Sequence, residues 1–268
     1  IKARGIFGSV IHKVSEGSEE NTKVVEIAVE EQATGEIMAG AGIGTEGTSF
    51  MFAVSENNWL GKGMGLTGSL NVTEEKISGS LDIKDPNFRY SGNSVNFGFS
   101  VASTDRTATT GYETETTAFN FGTSFEHYEN VYLSPSLSLT YEDIVAEATA
   151  SENIKKMDGT YLNSDLGYAI TWDRRDQRYK PTDGYRATFR QSLPLIQDSS
   201  SVMNGFDITG YNDFSEDVIG SLKFYTRSIH GVDDDVRLTN RLFMPTKRLR
   251  GFVRGKVGPK DGTDWIGG

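Results

Sequence analysis

The stretch "NSVNFGFSVAS", Asn93 to Ser103, alternates without interruption. Val95, Phe97, Phe99 and Val101 are apolar, and Asn96, Gly98, Ser100 and Ala102 lie between them. A period of two puts successive side chains on opposite faces of a strand, so one face of this segment is apolar and the other small and polar. The same period returns in Phe50, Phe52, Val54; in Leu66, Leu70, Val72; in Ile77, Leu81, Ile83; and in Phe119, Phe121. It continues in Leu133, Leu137, Leu139; in Leu166, Tyr168, Ile170, Trp172; in Tyr185, Ala187, Phe189; and in Leu222, Phe224. About eleven such segments, of roughly nine to fourteen residues, lie between Gly35 and Gly231, divided by turn chemistry such as "TEGTS", "KPTDG" and "FSED".

The face opposite the apolar one decides what kind of sheet this is. A soluble β-sandwich buries its apolar face and puts charges in water on the other. Here the alternate positions are mostly Gly, Ser, Ala, Thr and Asn, with occasional Lys, Arg and Asp, which suits a wet and crowded lumen. The better fit is an antiparallel β-barrel whose apolar band meets lipid. The longest glycine-free apolar run, Phe50 to Val54, is far short of the ~20 residues that cross a bilayer as a helix. Thirty glycines and six prolines favour strands and turns, and the absence of cysteine excludes disulfide and thiolate–metal scaffolds. The chain begins at Ile1 without a methionine, as an excised segment would.

Residues 1–36 differ from the rest. "GIFGSVIHKV" and "TKVVEIAVEEQ" are two strands joined by the acidic loop "SEGSEEN", and neither carries the small-residue face. They read as the end of a separate α+β domain. The expected organisation is therefore 1–36 as a domain tail and 37–268 as barrel.

Charge is unevenly spread. The chain sums to −10, yet Thr246 to Lys260, "TKRLRGFVRGKVGPK", holds six cations and no anion. The remainder, with 37 acids against 21 bases, carries −16. An acidic body repels a polyanion at long range, and the cluster has only one aromatic, Phe252, so nucleic acid is not the expected partner. Other motifs carry less. "GIGTEG", Gly42 to Gly47, spells a dinucleotide fingerprint, but an alternating strand follows where the phosphate-binding helix is required. Gly40, Gly42 and Gly44 instead thin one face of the strand "EIMAGAGIG". His12, His127 and His230 are far apart and expected in or near loops or the N-terminal part, and Asp233–Asp235 lacks the spacing of a calcium loop. No metal, no cofactor and no catalytic residue is expected.

Four phrases in order carry a family resemblance: "ENNWLGKGMGL", "LDIKDPNF", "TWDRRDQRYKPTDGYRATF" and "LRGFVRGKVGPK". Together they resemble the Omp85 superfamily of outer-membrane proteins over essentially the whole chain. The resemblance implies that 1–36 is the tail of the last POTRA domain, periplasmic, and that the barrel begins near Gly35. It also implies that about 231–264 is the long sixth extracellular loop, with about eleven of about sixteen strands present. In such a loop the motif arginine, here Arg250, meets lumen carboxylates, with Gly251 allowing a tight turn, Phe252 packing beside it, and Gly258 and Pro259 shaping the return. Lys247 and Arg248 are lesser candidates for lipid phosphate. The first barrel strand, about Glu36 to Thr45, would be a lateral gate that includes Ile37, Ala39, Gly40, Gly42 and Gly44. The activity implied is non-enzymatic: folding and insertion of client β-barrel proteins, with outer-membrane lipids and accessory lipoproteins as further partners. A transporter of the same superfamily, such as a two-partner secretion pore, is the alternative, and a diffusion porin a more distant one. Open sheet edges are not tolerated in hydrocarbon, so eleven strands alone are not expected to close into a working pore.

Overall fold

The computed structural model describes residues 5–19, 21–44, 47–197, 200–215, 217–232, 235–245, 248–253, 255–262 and 264–268. Two strands, β1 (Phe7–Glu16) and β2 (Lys23–Glu31), form a small antiparallel sheet of their own. Its register pairs Val10 with Val29, His12 with Ile27 and Val14 with Val25. The chain then enters one antiparallel sheet of eleven strands in sequence order. These are β3 (Gly35–Gly44), β4 (Gly47–Trp59), β5 (Met64–Thr73), β6 (Lys76–Asp85), β7 (Ser94–Asp105), β8 (Tyr112–Tyr128), β9 (Val131–Ala146), β10 (Gly159–Asp173), β11 (Gly184–Gln197), β12 (Ser201–Ser215) and β13 (Val218–Gly231). β3 and β13 are its outer strands, and the sheet is not closed.

Register converts the sequence alternation into two continuous faces. Leu66, Ile83, Phe97, Phe121, Leu137, Leu166 and Leu193 are partners in turn across seven strands and form one apolar row. The ring of Phe99 packs at 4.9 Å on that of Phe119 in the next row. Phe97 and Leu137 are 40% and 46% exposed, so no second protein layer covers them. A single-layer sheet with uncovered aromatic rows is what lipid, rather than water, would solvate. On the other face hydroxyls pair between neighbouring strands: Ser69 with Ser80 at 3.0 Å, Ser124 with Ser134 at 2.8 Å, and Thr171 with Thr188 at 3.1 Å. Small side chains let this concave face curve without crowding, and their mutual hydrogen bonds offset the desolvation of each hydroxyl.

The eleven strands of the large sheet run from 10 to 17 residues, longer than the sequence periods suggest. The excess lies where β8 and β9 meet the acidic, two-sided segments "YETETT" and "YEDIVA", with Glu115 opposite Asp143 and Thr116 opposite Glu142. Polar residues on both faces erase the alternation there, so these ends stand above the apolar band rather than inside it.

Strand order also sorts the connections. The turns 60–63, 86–93, 129–130 and 174–183 lie at the same end as the start of β3, hence beside the N-terminal sheet, while the chain after β13 leaves from the opposite end. Three of the four recognisable phrases occupy the first group, and local chemistry explains them. Asn58 Oδ1 accepts the Gly63 amide at 2.7 Å, and Asn87 Oδ1 accepts the Gly92 amide at 2.8 Å. In "TWDRRDQRYKPTDGY" Arg175 donates to both oxygens of Asp173, at 2.6 and 2.7 Å. Asp176 closes the same turn: slight desolvation pushes its carboxyl up, but bonds from the Asp183 amide and from the hydroxyl and amide of Thr182 outweigh this and hold it below the usual range. Gly184 has φ +89°, and a Cβ there would collide with the Arg174 carbonyl oxygen, so only glycine fits the junction of turn and strand.

Buried apolar side chains are few. Among the described residues eight hydrophobic side chains are buried, and five of them form one cluster at the end opposite the N-terminal sheet. Tyr112, Ile144, Ala150, Ile154 and Met157 come together there, with Ile266 packed against them. Ile154 belongs to the short helix α1 (Glu152–Lys155) in the β9–β10 connection.

Candidate functional site: the first strand and a loop on the lumen wall

β3 is the first strand of the large sheet and pairs with β4. Ile37 pairs with Val54, Ala39 with Phe52 and Ala41 with Phe50, which puts them on the apolar face. Gly40 opposite Met51, Gly42 opposite Ser49 and Gly44 opposite Gly47 fall on the lumen face. The five candidate gate residues therefore divide between faces: Ile37 and Ala39 outward, and Gly40, Gly42 and Gly44 inward. Ile37 is 74% exposed along this strand. A Cβ on Gly40 would meet nothing within 4 Å, and one on Gly42 only Ser49 Oγ at 3.4 Å. The glycines are thus not demanded by packing within the sheet. Their effect is on the strand itself, whose pairing is weaker and less specified than that of a β-branched strand. Thr45, at the end of the strand expected from sequence, lies outside the described residues.

After β13 the chain turns back over the concave face and is fastened at three points. The first is Arg237. Its side chain is buried, with Nη2 donating to Asn163 Oδ1 at 3.0 Å, the guanidinium 4.1 Å from the centre of the Tyr161 ring, and Glu142 Oε2 at 3.8 Å. Thr239 adds a bond to the same Glu142 oxygen at 3.2 Å. The second is Arg248, which lies 3.8 Å over the Tyr225 ring and 3.5 Å from Asp207 Oδ1. Asp207 also takes Arg190 at 2.6 Å and Arg227 at 2.7 Å, so one carboxylate joins the loop to two wall arginines. The third is the hairpin β14 (Lys260–Asp261) and β15 (Asp264–Trp265). Asn153 of the β9–β10 connection donates to Asp261 Oδ2 at 2.7 Å, and Ile266 joins the apolar cluster.

The acids that the resemblance implies for Arg250 belong to strands beyond the eleven of this sheet. Arg250 is exposed and has no ion pair among the described residues, and Phe252 is 54% exposed. The wall carboxylate Asp207 is met by Arg248, for which lipid phosphate is the lesser candidate in the sequence. Gly251 and Gly258 do adopt left-handed φ values, +87° and +135°, and Pro259 accepts the Ile266 amide at 3.1 Å where the loop returns. Lys247 lies outside the described residues, as do Asp233 and Asp234. His127 and His230 are exposed at the ends of β8 and β13, next to loops, and His12 lies in β1 of the N-terminal sheet, as the sequence leads one to expect.

Arg237, Glu142, Asp207 and Tyr225 were not singled out from sequence. The signal for the acids was present: Glu142 follows Ser134, Ser136, Ser138 and Thr140 on the lumen face of β9, Asp207 lies between Gly205 and Thr209 on that of β12, and a carboxylate among small residues at such a place wants a cation.

Comparison with known proteins agrees with this architecture. The family model described as "Omp85 superfamily domain" matches residues 58–268. A curated relative, the outer membrane protein assembly factor BamA of Neorickettsia risticii (strain Illinois), is 24% identical over 245 residues, covering 89% of this chain and 33% of its own length. BamA from Haemophilus ducreyi lacking POTRA domains 1–3 superposes with a TM-score of 0.79 at 18% identity, covering 96% of this chain and 53% of that one. CdiB from Acinetobacter baumannii superposes with a TM-score of 0.59 at 11% identity, over 93% and 49% of the two chains. The chain thus spans about a third of the curated relative and about half of each solved chain.

Proposed function

The chain belongs to the Omp85 superfamily, and from that premise we propose that it is part of the barrel of an assembly factor, which folds and inserts client β-barrel proteins. Its place is the outer membrane of Gram-negative bacteria. The N-terminal sheet then continues a periplasmic POTRA domain, and the chain after β13 is the long extracellular loop. The work is hydrogen-bond exchange and burial of side chains in lipid, with no covalent step. Client barrels, outer-membrane lipids and accessory lipoproteins are the partners in this reading.

The observation that carries it is the glycine face of β3, where Gly40 and Gly42 fall at lumen positions that packing within the sheet does not fill. Unpaired N–H and C=O groups are costly in hydrocarbon, so a strand that opens must re-pair at once. A client strand can supply those bonds by adding to the edge. Gly40 and Gly42 lower the cost of opening, and the space beside them permits a clean test. Gly40→Val with Gly42→Val should keep the fold while raising strand preference by about 1 kcal/mol per site. Client insertion in reconstituted vesicles should slow roughly ten- to thirtyfold if most of that enters the barrier to opening. Unchanged insertion in a correctly folded variant removes the gating role of β3. A superfamily secretion pore, the rival reading, would export its substrate normally with the same two valines.

A further inference from the structure

Arg237 stands out from the other loop cations. Its side chain is 3% exposed, yet among the described residues its buried Nε and Nη1 atoms have no hydrogen-bond partner. Stripping a guanidinium of water costs several kcal/mol. The return here is one bond to Asn163, the face of Tyr161 and a carboxylate at 3.8 Å rather than at contact distance. Such a site holds the loop while leaving much of the desolvation unrecovered, and undocking would rehydrate both free donors.

We propose that Arg237 and Glu142 form a releasable pin that fixes the start of the long loop to the β9–β10 wall, ahead of the RGF motif and independent of Arg250. Glu142 is itself 13% exposed, and it is shared by Arg237 and Thr239, so pin and loop backbone meet at one wall carboxylate. The pin does not depend on what the barrel inserts or exports. It requires only that β9, β10 and the loop belong to one folded wall.

A coupling measurement distinguishes a pin from general packing. Removing one charge leaves the other buried without its partner, whereas removing both leaves none. Hydrogen exchange of the segment 236–242 would be followed in the full chain in lipid nanodiscs, with segment 148–158 of the apolar cluster as an internal reference. Arg237→Met and Glu142→Gln should each speed exchange of the segment about tenfold, and the double variant should return to within about threefold of the unaltered chain, a non-additivity of the size contacting residues show. Should a single variant fail to fold, Asn163→Ala removes only the Nη2 bond and should speed exchange about threefold in the same segment. Additive acceleration in the double variant, or an unaltered rate in Arg237→Met or Asn163→Ala, overturns the pin.

Discussion

Phe121→Arg should destabilise the barrel in lipid by about 2–4 kcal/mol, the cost of an arginine on the lipid face near the bilayer midplane. Phe121 lies in the middle of β8, between Phe97 of β7 and Leu137 of β9 in the apolar row, and it is 51% exposed in a sheet with no second layer. Its neighbour Asn120 provides the control. Asn120 pairs with Gly98 and Ser138 on the concave face, where water is at hand. Asn120→Arg should therefore cost well under half as much, although the two sites adjoin in sequence. Urea unfolding of the full chain in phosphatidylcholine vesicles measures both. Equal losses would mean that the two faces see the same surroundings, which a membrane barrel forbids.

Asp207→Asn should be the most damaging isosteric change on the lumen wall. Its carboxylate accepts hydrogen bonds from Arg190 and Arg227 and pairs with Arg248, and the amide would leave three guanidiniums facing one neutral group. Asp207 is 27% exposed and Arg190 50%, so solvent screens part of the repulsion. The expected loss is about 1–3 kcal/mol, between exposed and buried ion pairs. Arg248 keeps its stack on Tyr225, so the loop should loosen at that point without leaving the wall altogether. A cycle of Asp207→Asn with Arg248→Gln, read by the urea midpoint, should give a smaller loss for the pair than the sum of the singles. Strict additivity would show that the Arg248 contact contributes nothing to the hold.

The sheet was legible because its chemistry is one-dimensional. A period of two written in Phe, Leu and Val against Gly, Ser and Asn specifies a face residue by residue, and the eleven periods between Gly35 and Gly231 become the eleven strands of the sheet. Legibility failed where both faces are polar, at the upper ends of β8 and β9, because alternation vanishes when lipid no longer sorts the side chains. The loop was legible as a loop, but not its fastenings. "RLRGF" draws the eye to Arg250, while the contacts are made by Arg248, two residues earlier, and by Arg237, eleven residues before that. Which arginine reaches a carboxylate depends on how the chain crosses β9, β10 and β12, a three-dimensional fact that no local spacing encodes. The glycines of β3 are an intermediate case: that they share one face was visible in the sequence, whereas which face it is and their lack of packing neighbours follow from register with β4.

Collision accessibility of nitroxides placed one at a time along Asn96 to Val101, in the full chain in lipid, tests the orientation on which all of this rests. Labels at Phe97, Phe99 and Val101 should be open to oxygen dissolved in the acyl chains, and labels at Asn96 and Ser100 to a water-soluble nickel complex, with the two signals alternating at a period of two. Labels at Phe97 and Phe99 shielded from both reagents would place those rings inside a protein core and contradict the account.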